Sequence, residues 1–392
     1  MASLSLINRV KYSSFLYNAY FHIGSIGVRL MRLFVRKDKS LIVFSSFGGR
    51  KYDDSPKCIY EEMLRDHRFD KYRIVWAFMN PDAHDIPRGD KVKLDTWAYY
   101  KTLLKARVWI TNSTMERGLS FKGDSIFYYN SWHGTPIKLM GGDIREGNQS
   151  FGTKEKRCPY DVFCAQSEYD SDIFKRSFHV PDRAMKIIGL PRNDELINNA
   201  GEERKNRIKA QLGIPNDKRV ILYAPTFREY SKDENLNCVI APPIHLKRWK
   251  ESLGHKFVLI FRAHYEVVKV MNVVSDEFVK DVSAYPSLND LMIVSDVLIS
   301  DYSSMFFDYS VMRKPMLCFA YDYDKYAKER GMYFDIREWL PNADNEDDLI
   351  KLIRDTDTTK ECVATKKFQE NFVTEYGSAS KKSLDIIYDA IK

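Results

Sequence analysis

The stretch Val297-Leu298-Ile299-Ser300-Asp301-Tyr302-Ser303-Ser304-Met305-Phe306-Phe307-Asp308-Tyr309 decides the fold class. Its first three residues make an apolar run too short for a helix, a polar turn follows, and a second apolar face begins at Met305. It reads as buried strand, turn and helix start. The same grammar recurs on both sides. Val220–Tyr223, Lys256–Phe261 and Pro315–Phe319 are further strand candidates, each followed by a polar loop. Earlier in the chain, Leu41–Phe44, Arg73–Phe78, Val108–Thr111, Ser125–Asn130 and Val162–Ala165 repeat the pattern, with Lys186–Ile188 as an addition and helical stretches around Cys58–Arg65 and Ala98–Lys105. Short apolar strands alternating with longer helical patterns build parallel sheets, so the class is α/β.

With 392 residues, the chain exceeds what one hydrophobic core usually serves, so roughly two domains are expected. At 44% hydrophobic and 14% aromatic residues, wholesale disorder is excluded. Cysteines at 58, 158, 164, 238, 318 and 362 show neither a Cys-x-x-Cys pair nor zinc-type spacing, which suits a reducing compartment. After Asn198-Asn199-Ala200-Gly201 comes a charged helical run, Glu202–Leu212, closed by Gly213 and Pro215. The expected division is therefore an N-terminal segment 1–38, a Rossmann-like domain 39–200 and a second one 201–392, with the last helix free to return to the first. Loops at the carboxyl ends of the strands are where open α/β sheets bind ligands. Two such domains facing a cleft make a GT-B-like architecture, which composition alone does not separate from other paired α/β folds.

The net charge of +7 is concentrated at the N-terminus: residues 1–37 hold Arg9, Lys11, Arg29, Arg32, Arg36 and Lys37 and no acid, leaving +1 for the rest. A nucleic-acid partner, which asks for charge spread over a folded face, is not expected. Between Tyr12 and Val28 there is no charge, but Ser13, Ser14, Asn18, His22 and Ser25 interrupt the apolar residues too often for a spanning helix. Phe15, Leu16, Ala19, Tyr20 and Ile23 fall on one helical face. After Gly24 and Gly27 loosen the chain, Ile26, Leu30, Leu33 and Phe34 fall on another, beside a basic stripe of Arg29, Arg32 and Arg36. This suits helices lying on an anionic membrane surface. A terminal helix packed on its own domain is the plain alternative.

Three turns carry chemistry. In Trp132-His133-Gly134-Thr135-Pro136 a strand-like run ends at a histidine that Gly and Pro fix and expose, suited to taking a proton from a hydroxyl or, more simply, to capping the turn. In Arg262-Ala263-His264 the alternation of an extended chain points Arg262 and His264 the same way, as an anion would require. Ser303 or Ser304 would cap the helix at Met305, and its free amides would make an anion site, with Asp308 orienting a donor hydroxyl or compensating the helix dipole. Ala224-Pro225-Thr226-Phe227-Arg228 and Leu190-Pro191-Arg192-Asn193-Asp194 lie in the same register. Asp322-Tyr323-Asp324 has the carboxylate spacing of metal-dependent nucleotide-sugar transferases, but a lone pair of this kind is weak, and no metal or cofactor is assigned.

Taken together and in chain order, Trp132–Pro136, Leu190–Asp194, Ala224–Arg228, Arg262–His264 and Ser300–Ser304 resemble the CDP-glycerol glycerophosphotransferases of teichoic-acid and capsule synthesis, over roughly residues 40–380. In length the chain looks like the shorter primase and single-addition members. The resemblance implies a GT-B fold and a peripheral enzyme on the cytoplasmic face of a bacterial membrane. It implies transfer of glycerol phosphate from CDP-glycerol to a hydroxyl of a glycerol-phosphate chain or an undecaprenyl-diphosphate-linked saccharide, with release of CMP. It also implies His133 as general base within Trp132, Gly134, Thr135 and Pro136, and His264 with Arg262 on the donor diphosphate. Pro225, Thr226, Ser303 and Ser304 would contact phosphate or nucleotide, with Arg192 and Asp308 completing the donor pocket. Phe227 stands where some relatives have Trp, which leaves the donor polyol open between glycerol and ribitol. A GT-B glycosyltransferase is the further alternative.

Overall fold

A computed structural model of the chain describes residues 13–144, 159–226, 228, 241–263, 267 and 271–392. It divides into two units, 1–133 with 140–192 and 378–392, and 134–139 with 193–377.

The first unit holds seven parallel strands: β1 (Leu41–Ser45), β2 (Arg73–Phe78), β3 (Asp90–Lys93), β4 (Val108–Thr111), β5 (Phe127–Asn130), β6 (Val162–Ala165) and β7 (Met185–Ile187). Their order is β3-β2-β1-β4-β5-β6-β7. Alternate residues of β1 enter different cores, Ile42 and Phe44 on one face, Leu41 and Val43 on the other. That two-sided burial is why Leu41 to Phe44 of β1 are all apolar. The last helix, Ala379–Ile391, adds Leu384, Ile387 and Ile391 to the first of these cores.

The second unit holds β8 (Arg219–Ala224), β9 (Phe257–Phe261), β10 (Val279–Asp281), β11 (Val297–Ser300), β12 (Met316–Phe319) and β13 (Asn342–Ala343), all parallel, in the order β10-β9-β8-β11-β12-β13. Trp249, Leu253 and Phe261 anchor one face of this sheet. In each unit the strand order reverses once, between β1 and β4 and between β8 and β11, which is where a doubly wound sheet opens a crevice for ligands.

Two boundaries differ from expectation. The division falls between Arg192 and Asn193, not at 200/201, because Arg204 reaches Glu195 at 3.0 Å and Asp290 at 2.6 Å and so ties the helix Asp194–Asn198 to the second unit. At the N-terminus, Ser14–Met31 is one helix, not two faces parted by glycines. Gly24 serves close packing, since a Cβ there would lie 2.8 Å from Leu119. Two residues of the basic stripe are tied to the neighbouring loop: Arg29 Nε donates to Ser120 O at 2.8 Å, and Arg32 donates to Phe121 O, while Arg29 and Arg36 stay exposed. Beside them Phe15, Ile23, Ile26, Leu30, Leu33 and Phe34 are all exposed.

Candidate active site

The site in the first unit begins where β5 ends. Asn130 brackets the turn: its Oδ1 accepts from Trp132 N and its Nδ2 donates to Ser113 O, each at 2.7 Å, while Ser131 N donates to Thr111 O at 2.9 Å. Trp132 is thereby held at φ 54°, a left-handed conformation that a bulky aromatic adopts only under constraint. Phe178, with its ring 4.7 Å away, wedges the indole.

This turn delivers His133. Its Nδ1 lies 2.6 Å from the carbonyl oxygen of Asn112. A carbonyl can only accept, so the bond places the proton on Nδ1 and leaves the lone pair on Nε2. Burial holds the imidazole below its ordinary value of 6.5, helped by Arg192 and Arg50 and opposed by the Asn112 bond and Asp54. At neutral pH the ring is a free base.

The surroundings are strained. Asn112 Oδ1 accepts from Phe47 N at 2.7 Å, and the Phe47 ring stands 6.0 Å from His133. Phe47, Gly48 and Gly49 all take positive φ, as does Asp54, whose Oδ2 accepts from Arg192 Nη1 at 2.8 Å. Backbone strain of this kind persists where the surrounding structure over-determines it, commonly at functional sites. Asn112 Nδ2 is buried with no hydrogen-bond partner among the described residues. Asp54 and Asn112 escaped the sequence reading; the only signal was that Asn112 follows β4 as the motif residues follow their strands.

Directly after His133 the chain enters the second unit. Gly134 (φ 151°), Thr135 and Pro136 are buried there, and Ile137 to Leu139 are strapped down by Tyr333 N on Ile137 O at 3.0 Å and Leu139 N on Gly331 O at 3.1 Å.

The second cluster sits at the carboxyl ends of β8, β11 and β12. After Pro225, Thr226 N donates to both carboxylate oxygens of Asp301, at 2.9 and 3.1 Å, and the buried Thr226 hydroxyl has no partner among the described residues. Arg262 Nη1 donates to Tyr285 O at 2.7 Å. Asp308 Oδ1 accepts from Asn193 Nδ2 at 2.9 Å. Arg192 lies in the first unit and Asp308 in the second. His264 lies outside the described residues.

Two expectations change here. The helix Met305–Ser310 has six residues, its N-cap Ser304 makes no side-chain bond, and Met305 N already donates to Ser303 Oγ at 3.2 Å. A helix this short carries little dipole, so Ser303 and Ser304 are not backed by the anion site expected from its amides. Asp322 also leaves the Asp-x-Asp reading: its Oδ2 accepts from Arg228 Nε at 2.8 Å and its Oδ1 from Arg228 Nη2 at 2.8 Å and Tyr302 OH at 3.0 Å, making it part of a buried ion network.

The chain is 34% identical over 370 residues to the teichoic acid poly(glycerol phosphate) polymerase of Staphylococcus epidermidis, covering 90% of this chain and 51% of that protein, so it spans about half the polymerase's length. It is 32% identical to the teichoic acid glycerol-phosphate transferase of Staphylococcus aureus, covering 90% and 93%. The structure of the wall teichoic acid polymerase TagF superposes with a TM-score of 0.80 at 32% identity, covering 91% of this chain and 90% of that one. A UDP-GlcNAc 2-epimerase from Methanocaldococcus jannaschii, 13% identical with a TM-score of 0.53, shares the fold alone. Residues 28–389 match the family of CDP-glycerol:poly(glycerophosphate) glycerophosphotransferases, and the chain belongs to it.

Proposed function

We propose that the chain is a GT-B-type enzyme that transfers glycerol phosphate from CDP-glycerol to a hydroxyl of a glycerol-phosphate or lipid-linked saccharide acceptor. The observation that carries this reading is the tautomer of His133, with Nδ1–H on Asn112 O and a free Nε2. Nε2 takes the proton of the acceptor hydroxyl, the oxygen forms a bond to the phosphorus bearing glycerol, and the bond from that phosphorus to the bridging oxygen breaks. The electron pair leaves on CMP. Arg262, His264 and Thr226 are the proposed partners of the diphosphate, and no step is assigned to a metal. Family membership and the TagF structures, one of them a histidine variant soaked with CDPG, support the donor assignment. Incubation with CDP-glycerol, CDP-ribitol or a UDP-sugar plus a glycerol-phosphate-primed acceptor decides it. CMP from CDP-glycerol with a product one glycerol phosphate longer is expected. CMP from CDP-ribitol alone would shift the donor, and UDP release would make the protein a glycosyltransferase.

A lipid-linked acceptor stays in the bilayer, so the enzyme must meet it there. Among the described residues no helix is long and apolar enough to cross a membrane. The outward face of Ser14–Met31 and the turn after it, with Phe34 87% and Leu33 77% exposed, instead supports docking to the surface of a bilayer, each buried side chain of this size contributing about 1.5–3 kcal/mol. With Arg29 and Arg32 engaged by the Ser120–Phe121 backbone and six large apolar side chains exposed, binding to neutral phosphatidylcholine vesicles should persist at high salt and fall on Leu33→Ser with Phe34→Ser. Loss of binding at high salt would restore the purely electrostatic reading.

A further inference from the structure

Arg228 is 1% exposed, yet its guanidinium is fully engaged by polar partners. Nε and Nη2 form a fork on Asp322, and Nη1 donates to Asp301 Oδ2 at 2.8 Å and to Thr226 O at 2.7 Å. The rings of Tyr302, Tyr321 and Tyr326 surround it, their centroids 5.1, 5.1 and 4.9 Å from the guanidinium carbon. One side chain thus joins the loops after β8, β11 and β12. Asp301 passes the restraint on, since it accepts from both Thr226 N and Tyr302 N.

The charge count gives this arrangement a consequence. Asp301 and Asp322 bring two negative charges to strand ends where an anionic donor is to bind, and Arg228 supplies one positive charge between them. Removing it would leave two buried carboxylates uncompensated and free the turn that presents the partnerless Thr226 hydroxyl.

We propose that Arg228 is a positioning residue for the nucleoside diphosphate part of the donor: it offsets one of the two negative charges of Asp301 and Asp322 and fixes the Pro225–Thr226 turn that the phosphates meet. This rests on the nucleotide-donor reading above and specifies which residue sets donor affinity.

The test is the KM for CDP-glycerol, measured separately from the KM for the acceptor, in the full chain. Arg228→Gln should raise the donor KM roughly tenfold or more and leave the acceptor KM within about twofold. Arg228→Lys, which keeps the charge but loses the fork, should recover part of the loss. Adding Asp322→Asn to Arg228→Gln should bring the donor KM back toward the wild-type value, because it removes an orphaned charge. A donor KM unchanged in Arg228→Gln, or equal losses for donor and acceptor, overturns the proposal. Should Arg228→Gln fail to fold by circular dichroism, Asp322→Asn alone carries the test: a donor-specific rise in KM supports the proposal, and an unchanged value overturns it. Wild-type protein that releases no CMP from CDP-glycerol contradicts the transfer reading instead, so the two failures are distinct.

Discussion

At the end of β5 the turn carrying His133 is held by neutral groups, the Asn130 amide, the Asn112 carbonyl and backbone bonds to β4. At the ends of β8, β11 and β12 the turn carrying Thr226 is held by charge, one guanidinium between two carboxylates. The two sheets share one strand order up to their sixth strands, so topology does not account for the difference. The chemistry proposed for each turn does. A carbonyl orients the imidazole of the proposed base without adding a full charge, so burial keeps its pKa low. For a turn proposed to meet a polyanion, an Arg fork gives rigid orientation and offsets part of the charge of its own carboxylates.

If the neutral bracket positions the base, Asn130→Ala should lower kcat/KM roughly tenfold or more, because small misplacements of a catalytic group are expensive. It should also destabilise the first unit by about 1–3 kcal/mol through the unpaired Ser113 O and Trp132 N. Thermal melts and CMP release, compared per folded molecule, check both, and full activity in the folded fraction would break the contrast. A smaller effect sharpens it. Because the His133 pKa is lowered, chiefly by burial, the base form persists into mild acid, and the acid limb of kcat/KM should fall below pH 6.5. A limb well above that value would point to a carboxylate partner and erase the distinction between the turns.

The central strands were legible because two-sided burial writes continuous apolar runs such as Leu41–Ser45 and Phe257–Phe261. The edges were not: β3 is mostly exposed, β10 has three residues and β13 two, so polar composition hid them as expected of protected edges. Candidate residues in strand-end motifs could be read from sequence because strand ends are where α/β sheets place function. Asp54 and Asn112 could not, since nothing in a linear pattern says that Asp54 takes a left-handed φ or that a backbone carbonyl 21 residues away chooses the histidine tautomer. The bonds of Arg29 and Arg32 to the Ser120–Phe121 backbone were hidden for the same reason: helical spacing gives faces, and only packing says what each face meets.

Isothermal titration of CDP-glycerol into wild type and His133→Ala, paired with CMP release from the same samples, bears on the base assignment most directly. His133→Ala is expected to bind the donor with wild-type affinity while turnover falls by about 10²–10⁴-fold. Near-normal CMP release from that variant would contradict the account.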